Sequence, residues 1–419
     1  MTTGINAIQY FPPSDFEPKL VRDHIVRSLY ADSLQALKER KVIILQAAPG
    51  FGKQSLLAYI HQKSHGKKIW LTLTAKDNNK SIFIEKLTKS LALSQIQLSE
   101  YEALNLQRSS ADDIAYIIAK AISDKGKVTF FFAGIHHLKQ SFIKTLLAAL
   151  LHTTGHQVRF LMSCNHNHSL NIASLAIDNH LHYINNPSHR FSANEALTVI
   201  NKDINYPLEA SQKFIQLIDY VQGWGTAVSL IKNKFRQGMS LQDISEDIYK
   251  GNQSLDDYFR EKALLGVSKA HRKIYIQLSA VERFTLAQAS KIVGKENLDD
   301  LNTVFEQQAF LLSTQDKGQQ WFFYHNIFKH YLDRIREQSL TNNETHELRC
   351  RSAHWLYDHG DIEEAINIIL VCKHYDVAAQ WLISYTSIAK RKGNHEQFMY
   401  WLQQLPASTL NLHPTLAGA

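Results

Sequence analysis

The sequence predicts an α/β domain built on a parallel sheet with helices on both faces, followed by a purely helical region. Three observations carry this expectation. Apolar strand-like runs alternate with amphipathic segments through the first half, a glycine turn with a lysine follows the first run, and only helical spacing recurs from Ser192. The strand-like runs are Val42–Ala47, Lys68–Leu73, Val128–Phe132, Val158–Met162 and, more weakly, Leu181–Ile184. Between them, helical spacing marks Ser55–His65, Ile82–Leu91, Ala111–Ile122 and Phe142–Leu151. Near-continuous apolar strands separated by helices are the pattern of a sheet buried on both sides.

The turn after the first run is the most informative stretch. Residues Gln46 to Leu56 read Q-A-A-P-G-F-G-K-Q-S-L and lead into a helical pattern at Leu56, Leu57 and Ile60. Strand, glycine turn, lysine and helix form the layout of a phosphate-binding P-loop. Gly50 and Gly52 let backbone N–H groups curl around an anion at a helix N-terminus, and Lys53 supplies charge to a β- or γ-phosphate. Pro49, Gly50, Phe51, Gly52, Lys53, Gln54 and Ser55 are therefore the candidate nucleotide-binding residues. The pattern G-x-x-x-x-G-K-[ST] wants Gly at 47 and a hydroxyl at 54, whereas this chain has Ala47 and Gln54, with Ser55 next. A plain glycine turn with a solvated lysine would use the same residues.

In the helical half, Ser192-x-x-Glu195 is a capping box that opens one helix, and Leu217, Val221, Ala227, Val228 and Ile231 mark later ones. Between about Lys269 and Leu340, three helical segments precede Phe310-Leu311-Leu312, a polar turn at Gln315–Gly318, and Trp321-Phe322-Phe323-Tyr324. Three helices and a hairpin read as a winged helix, a module that binds DNA in some proteins and serves oligomerisation or lid roles in ATPases. From Glu344, helix pairs turn at Asp358-His359-Gly360 and Lys392-Gly393-Asn394. They read as the start of a helical-repeat array of TPR-like type. Pro414 to Ala419 stand where a further repeat is expected, so the chain reads as part of a longer protein.

Composition sets the outer limits. The chain has 419 residues, 44% hydrophobic and 20% charged, with 46 basic and 39 acidic side chains well mixed for a net charge of +7. No dense basic block argues for nucleic acid. His136-His137 and His166-x-His168 lack Cys or acidic partners at metal spacing, so no metal site is expected. Cys164, Cys350 and Cys372 show no paired spacing, which fits a reducing compartment. No signal-peptide pattern and no apolar run of the ~20 residues that span a bilayer are present, so a cytoplasmic location is expected.

Several motifs in order resemble one family. They are Val21-Arg22, the loop Ala48-Pro49-Gly50-Phe51-Gly52-Lys53, Trp70 followed by Asp77-Asn78, Gly223-Trp224-Gly225-Thr226-Ala227, Phe323-Tyr324-His325-Asn326-Ile327-Phe328, and Glu364-Ala365-Ile366. The chain resembles the N-terminal part of the MalT-like signal-transduction ATPases (STAND), the large LuxR-type ATP-dependent regulators of bacteria. That resemblance implies a nucleotide-binding domain at 1–190, a helical domain at 191–265, a winged helix at 266–340 and the start of a sensor array at 341–419. It implies ADP or ATP as ligand, with Val21 and Arg22 near its base and His325 touching the β-phosphate. By its residues alone, His325 reads rather as a packed residue between aromatic neighbours. Self-association, an inducer or protein partner at the repeats, and DNA contact through a further C-terminal module are also implied.

The departures from the family pattern bear on chemistry. Its acidic strand end appears here as Phe130-Phe131-Phe132-Ala133-Gly134, and its S-R-N segment as Ser163-Cys164-Asn165. The Mg²⁺ hydroxyl at 54, both acids and the arginine are therefore replaced. Phosphoryl transfer rests almost wholly on positioning and charge neutralisation. The expected function is a signalling switch governed by ADP, ATP and inducer, with magnesium weak or absent and little or no hydrolysis. The alternative is a pseudo-ATPase scaffold for protein contacts without transcriptional output.

Overall fold

A computed structural model of the chain describes residues 11–18, 27–165, 170–202, 209–294, 298–316 and 318–417. It divides into two compact units, Met1–Ile248 and Tyr249–Ala419.

The first unit is built on a five-stranded parallel sheet: β1 (Val42–Gln46), β2 (Lys67–Thr72), β3 (Val128–Ala133), β4 (Val158–Cys164) and β5 (Leu181–Ile184), in the order β2-β3-β4-β1-β5. Successive strand residues point to opposite faces, so a strand apolar at every position needs cover on both sides. In β1, Val42 and Ile44 enter one core while Ile43 and Leu45 enter another. The other strands repeat this, with Ile69 and Leu71 opposed to Trp70, Phe130 and Phe132 to Phe131, and Phe160 and Met162 to Leu161. Helices α1 (Ser28–Glu39) and α2 (Lys53–Lys63) cover one face through Leu29, Tyr30, Leu56 and Ile60. Helices α3 (Lys80–Leu93), α4 (Ala111–Ile122) and α5 (Ser141–Thr153) cover the other through Phe83, Leu87, Ile114, Ile118, Leu146 and Leu150. Stacked rings add cohesion, with Phe130 and Phe160 centroids 5.1 Å apart and Trp70 and Phe131 5.7 Å apart.

β3 and β4 run beyond the apolar stretches that mark them in the sequence. Ala133 pairs with Ser163 and Gln46 with Cys164, so the ladder continues on backbone bonds after the apolar pattern has ended. A buried cation ties the β2 end to α3. Lys86 Nζ lies 2.9 Å from Asp15 and 3.1 Å from Asp77 and donates to the Thr72 carbonyl at 2.5 Å. The unit continues with α6 (Ala193–Asn201), α7 (Gln212–Tyr220) and α8 (Gly225–Arg236). The Ser192–Glu195 capping box opens α6 as its sequence predicts.

In the second unit, α9 (Lys269–Leu278), α10 (Leu286–Val293) and α11 (Leu298–Gln307) precede an antiparallel hairpin, β6 (Leu311–Asp316) and β7 (Gln319–Tyr324), and then α12 (Asn326–Ser339). This is a winged helix, its core packed by Phe284, Phe310, Tyr324 and Phe328. The hairpin is longer than its apolar residues suggest, since Gln315 and Asp316 pair with Gln320 and Gln319 in its exposed tip. The repeat helices follow as α13 (Asn342–Asp358), α14 (Ile362–Val371), α15 (Tyr375–Lys392) and α16 (His395–Gln403), with Gly360 and Gly393 turning at positive φ. Arg283 joins winged helix to repeats, lying over the Trp321 ring and 2.7 Å from Glu364. Among the described residues no helix is long and apolar enough to cross a membrane.

Two substitutions test this account of the first unit. Phe131→Ala leaves a hole under Trp70 and should lower stability by about 3–5 kcal/mol, read as a drop in the urea midpoint. Lys86→Ala strands two acids, one of them Asp77 at 1% exposure, and should cost on the order of 3–5 kcal/mol.

Candidate nucleotide site

The loop after β1 lies where an α/β sheet offers its ligand site. β1 is interior, and the chain leaves it for the β2 edge but later crosses from β4 to β5 on its far side. Crevices beyond the C-terminal strand ends at such reversals are the usual binding places. Gly50 and Gly52 both hold left-handed backbone, φ +83° and +79°, which glycine adopts without strain. Gly52 then caps α2, which begins at Lys53 with no side-chain cap and no acidic residue in its first turn. The first-turn N–H groups and the helix dipole therefore favour an anion at this end.

Lys53 is the central charge. Its side chain is 7% exposed and turned back on its own loop, donating to the carbonyls of Ala47 at 2.6 Å and Ala48 at 2.9 Å. Burial pulls its pKa down to about 7, against a smaller opposing effect of Cys164, whose thiol is itself pushed up to about 12 by burial. Phe51 is fully buried, Gln54 exposed and Ser55 half-buried. Pro49, Gly50, Phe51, Gly52, Lys53, Gln54 and Ser55 thus form one continuous loop and helix start, with Lys53 satisfied by carbonyls rather than solvated.

The sequence reading missed what grips this loop from outside. The Trp224 indole N–H donates to Pro49 O at 2.9 Å, and the Thr226 amide donates to Gly50 O at 3.1 Å. A Cβ on Gly50 would lie 2.2 Å from Thr226 Oγ1, and one on Gly225 would lie 2.8 Å from Gly50 O. The segment Gly223–Ala227, which its sequence marks as a family-like motif at a helix start without a contact to the loop, is therefore a collar on the loop. Arg27 holds the neighbouring connection: it donates to His189 O at 3.0 Å, pairs with Glu195 at 3.2 Å and lies over the Phe191 ring at 4.2 Å. His189 is buried, and burial followed by the charge of Lys53 brings its pKa down to about 3.

The strand ends beside the loop carry no carboxylate. Ala133 is buried, and Gly134, at φ +95°, donates its N–H to the Ser163 carbonyl and hydroxyl, both at 3.1 Å. Cys164 closes β4 in the core, and Asn165 hydrogen-bonds the His136 ring at 2.8 Å. Asn78 of the Asp77-Asn78 pair fixes the segment after β3, accepting from the Lys139 and Gln140 amides at 2.6 and 3.0 Å. The donor set suits phosphate oxygens.

Val21 and Arg22 lie outside the described residues, as do His166 and His168. His325 belongs to the second unit, fully buried, its ring edge-on to Phe310 with centroids 6.2 Å apart. That packing accounts for the residue within its own unit, and His325→Ala should therefore destabilise the unliganded protein by about 2–3 kcal/mol in thermal unfolding. At the loop, Gly50→Ala and Gly52→Ala both force a non-glycine residue to positive φ, at roughly 1–3 kcal/mol. Only position 50 adds a clash, since nothing lies within 4 Å of a Cβ at Gly52. Gly50→Ala should melt at the lower temperature of the two and expose Trp224 to quencher.

Comparisons with known proteins agree with this architecture. Residues 260–344 match the MalT winged helix domain. The serine/threonine-protein kinase PknK of Mycobacterium tuberculosis is 23% identical over 366 residues, 85% of this chain and 33% of the kinase. The HTH-type transcriptional regulator MalT of Klebsiella pneumoniae is 23% identical over 329 residues, 76% of this chain and 36% of the regulator. The chain thus spans about a third of the length of these curated relatives. Among solved structures, the Walker-type ATPase of Pyrococcus abyssi superposes with a TM-score of 0.53 at 11% identity, covering 76% of this chain and 99% of that one. The chain is thus similar to MalT and PknK over most of its length, carries a match to the MalT winged helix domain, and shares the fold of a Walker-type ATPase.

Proposed function

We propose that this chain is the nucleotide-binding switch of a MalT-like regulator, one that holds ADP or ATP by its phosphates with little use of magnesium and hydrolyses ATP slowly or not at all. One observation carries the reading. Lys53 is a buried, partly neutralised cation whose hydrogen bonds go to its own loop, beside a helix start without cap or acid. Phosphate oxygens would give Lys53 a stronger partner than carbonyls, and the N–H groups of Gly50 to Ser55 would hold the rest of a diphosphate. A bound nucleotide supplies the switch with its charge; the residues that would polarise its γ-phosphate or activate water are replaced at Gln54, Ala133, Gly134 and Cys164.

The collar gives the switch its transmission. Trp224 and Thr226 bond the carbonyls of Pro49 and Gly50, so a loop that rotates to meet an anion must carry the start of α8 with it or break those bonds. In the same reading the division at 1–190, 191–265, 266–340 and 341–419, self-association, an inducer at the repeats and DNA contact through a further module come from the MalT resemblance, and a cytoplasmic setting from the cysteine pattern and the sequence's lack of a signal-peptide pattern. A second reading, a scaffold for protein contacts, draws support from the same collar, because the loop is already tied and Lys53 already paired.

Three measurements separate the readings. Saturating ADP should raise the melting temperature, equivalent to about 2.7 kcal/mol at a hundredfold excess over Kd, with little change on adding EDTA. Absence of any shift, with no nucleotide released from the denatured protein, would leave the scaffold. ATP turnover should not exceed that of Lys53→Ala; magnesium-dependent turnover lost in that variant refutes the inactive-switch reading. The pH dependence follows from Lys53. Its pKa near 7 in the free protein must rise when phosphate binds, so binding takes up a proton. ADP affinity should then be full below pH 7 and fall above it, by up to about tenfold per unit, and titration calorimetry in buffers of different ionisation enthalpy should show the uptake. His325, assigned to the phosphate by resemblance, is tested by whether His325→Ala shrinks the ADP shift beyond its effect on the unliganded protein.

A further inference from the structure

Two of the three cysteines, 22 residues apart in sequence, meet in the second unit. Cys350 lies on α13, and Cys372 ends α14, the next helix of the packed pair. The Cys372 sulfur is 3.9 Å from the carbonyl oxygen of His346, one helical turn before Cys350, which sets it against the turn that carries the Cys350 thiol. The two thiols differ in access. Cys372 is 3% exposed, whereas Cys350 is half-buried and lines a cavity of about 570 Å³ between α10 and α13. Lys291, Arg351 and His354 line the same cavity together with Glu347 and Asp358, so access rather than local charge sets the Cys350 thiol apart.

We propose that Cys350 and Cys372 are a reversible redox pair, in which Cys350 reacts with a hydroperoxide entering the cavity and Cys372 closes a disulfide with it. The Cys350 thiolate attacks the terminal peroxide oxygen. An S–O bond forms, the O–O bond breaks, and the departing oxyanion takes a proton to leave as an alcohol, or as water from hydrogen peroxide. Cys350 is then a sulfenic acid. The Cys372 sulfur attacks it, the S–S bond forms, the S–O bond breaks, and the hydroxyl leaves as water with the Cys372 proton. Two thiols lose two electrons in all, and the hydroperoxide gains them. Interaction between the two thiols holds Cys350 below its ordinary pKa and raises that of Cys372, the order these roles require.

Cys164 is an internal control. It is fully buried in the sheet core and its thiol is pushed up to about 12. The test uses the whole reduced chain treated with hydrogen peroxide, alkylated after denaturation and digested without reductant. A peptide linking Cys350 to Cys372, reversed by dithiothreitol, is expected, with Cys350 consumed about tenfold or more faster than Cys164. Cys372→Ser and Cys372→Ala should both stall at a dimedone-reactive sulfenic acid on Cys350, and Cys350→Ser should leave Cys372 reduced; circular dichroism checks that each variant is folded. Loss of Cys350 and Cys164 at equal rates, or oxidation of Cys350 only to sulfinic acid or to a disulfide between chains, overturns the pair.

Discussion

The first unit turns on a single lysine held out of water without a carboxylate. Lys53 is placed by β1, which must enter from a sheet buried on both faces, and by α2, whose Leu56 and Ile60 pack on that sheet. A buried ammonium can keep such a position only if oxygens surround it or if it gives up its proton. Here both occur in part: two loop carbonyls accept from it, and its pKa has dropped to about 7. Trp224 closes on the same loop through Pro49 O, and His189, itself buried, has its pKa lowered further by the charge of Lys53. The lysine is thus charged enough to prefer an anion and neutral enough to remain without one.

The sheet and the loop were legible because they depend on local rules. Runs such as Val42-Ile43-Ile44-Leu45 and Phe130-Phe131-Phe132, short and separated by helical spacing, fit strands covered on both faces, and Gly50, Gly52 and Lys53 can be read as a turn and a charge without knowing the rest. The winged helix was legible in its apolar members, while its polar hairpin tip was not, since Gln315 and Gln320 pair through backbone alone. Non-local contacts were the part that could not be read. Nothing near Trp224 announces a bond to Pro49, nothing near Arg27 announces Glu195, and the interval between Cys350 and Cys372 gains meaning only once two helices fold against each other. His325 shows the reverse case: a residue singled out by resemblance is also a fully buried member of an aromatic core, and its two possible roles look alike in sequence.

In the proposed reading, the residues that differ from the family pattern are those that would act on a γ-phosphate, and the residues that match it are those that would recognise a charged oxygen cluster. Side chains that recognise and side chains that react come from different strands: recognition from the end of β1, reaction from the ends of β3 and β4. Separate origins let one set be lost without disturbing the other. Ala133 and Gly134 suit the core where they stand, because Ala133 is buried and Gly134 turns sharply onto Ser163.

The close approach of Gly50 and Gly225 has a consequence for descent. Neither position has room for a β-carbon while the other segment stays in place, and the Trp224–Pro49 bond joins residues 175 apart in the chain. A change at one position is tolerated only with a matching retreat at the other. The two short stretches should therefore drift as a pair among related chains, so that co-variation between residues 49–50 and 224–226 becomes the signature by which other members with the same collar can be found.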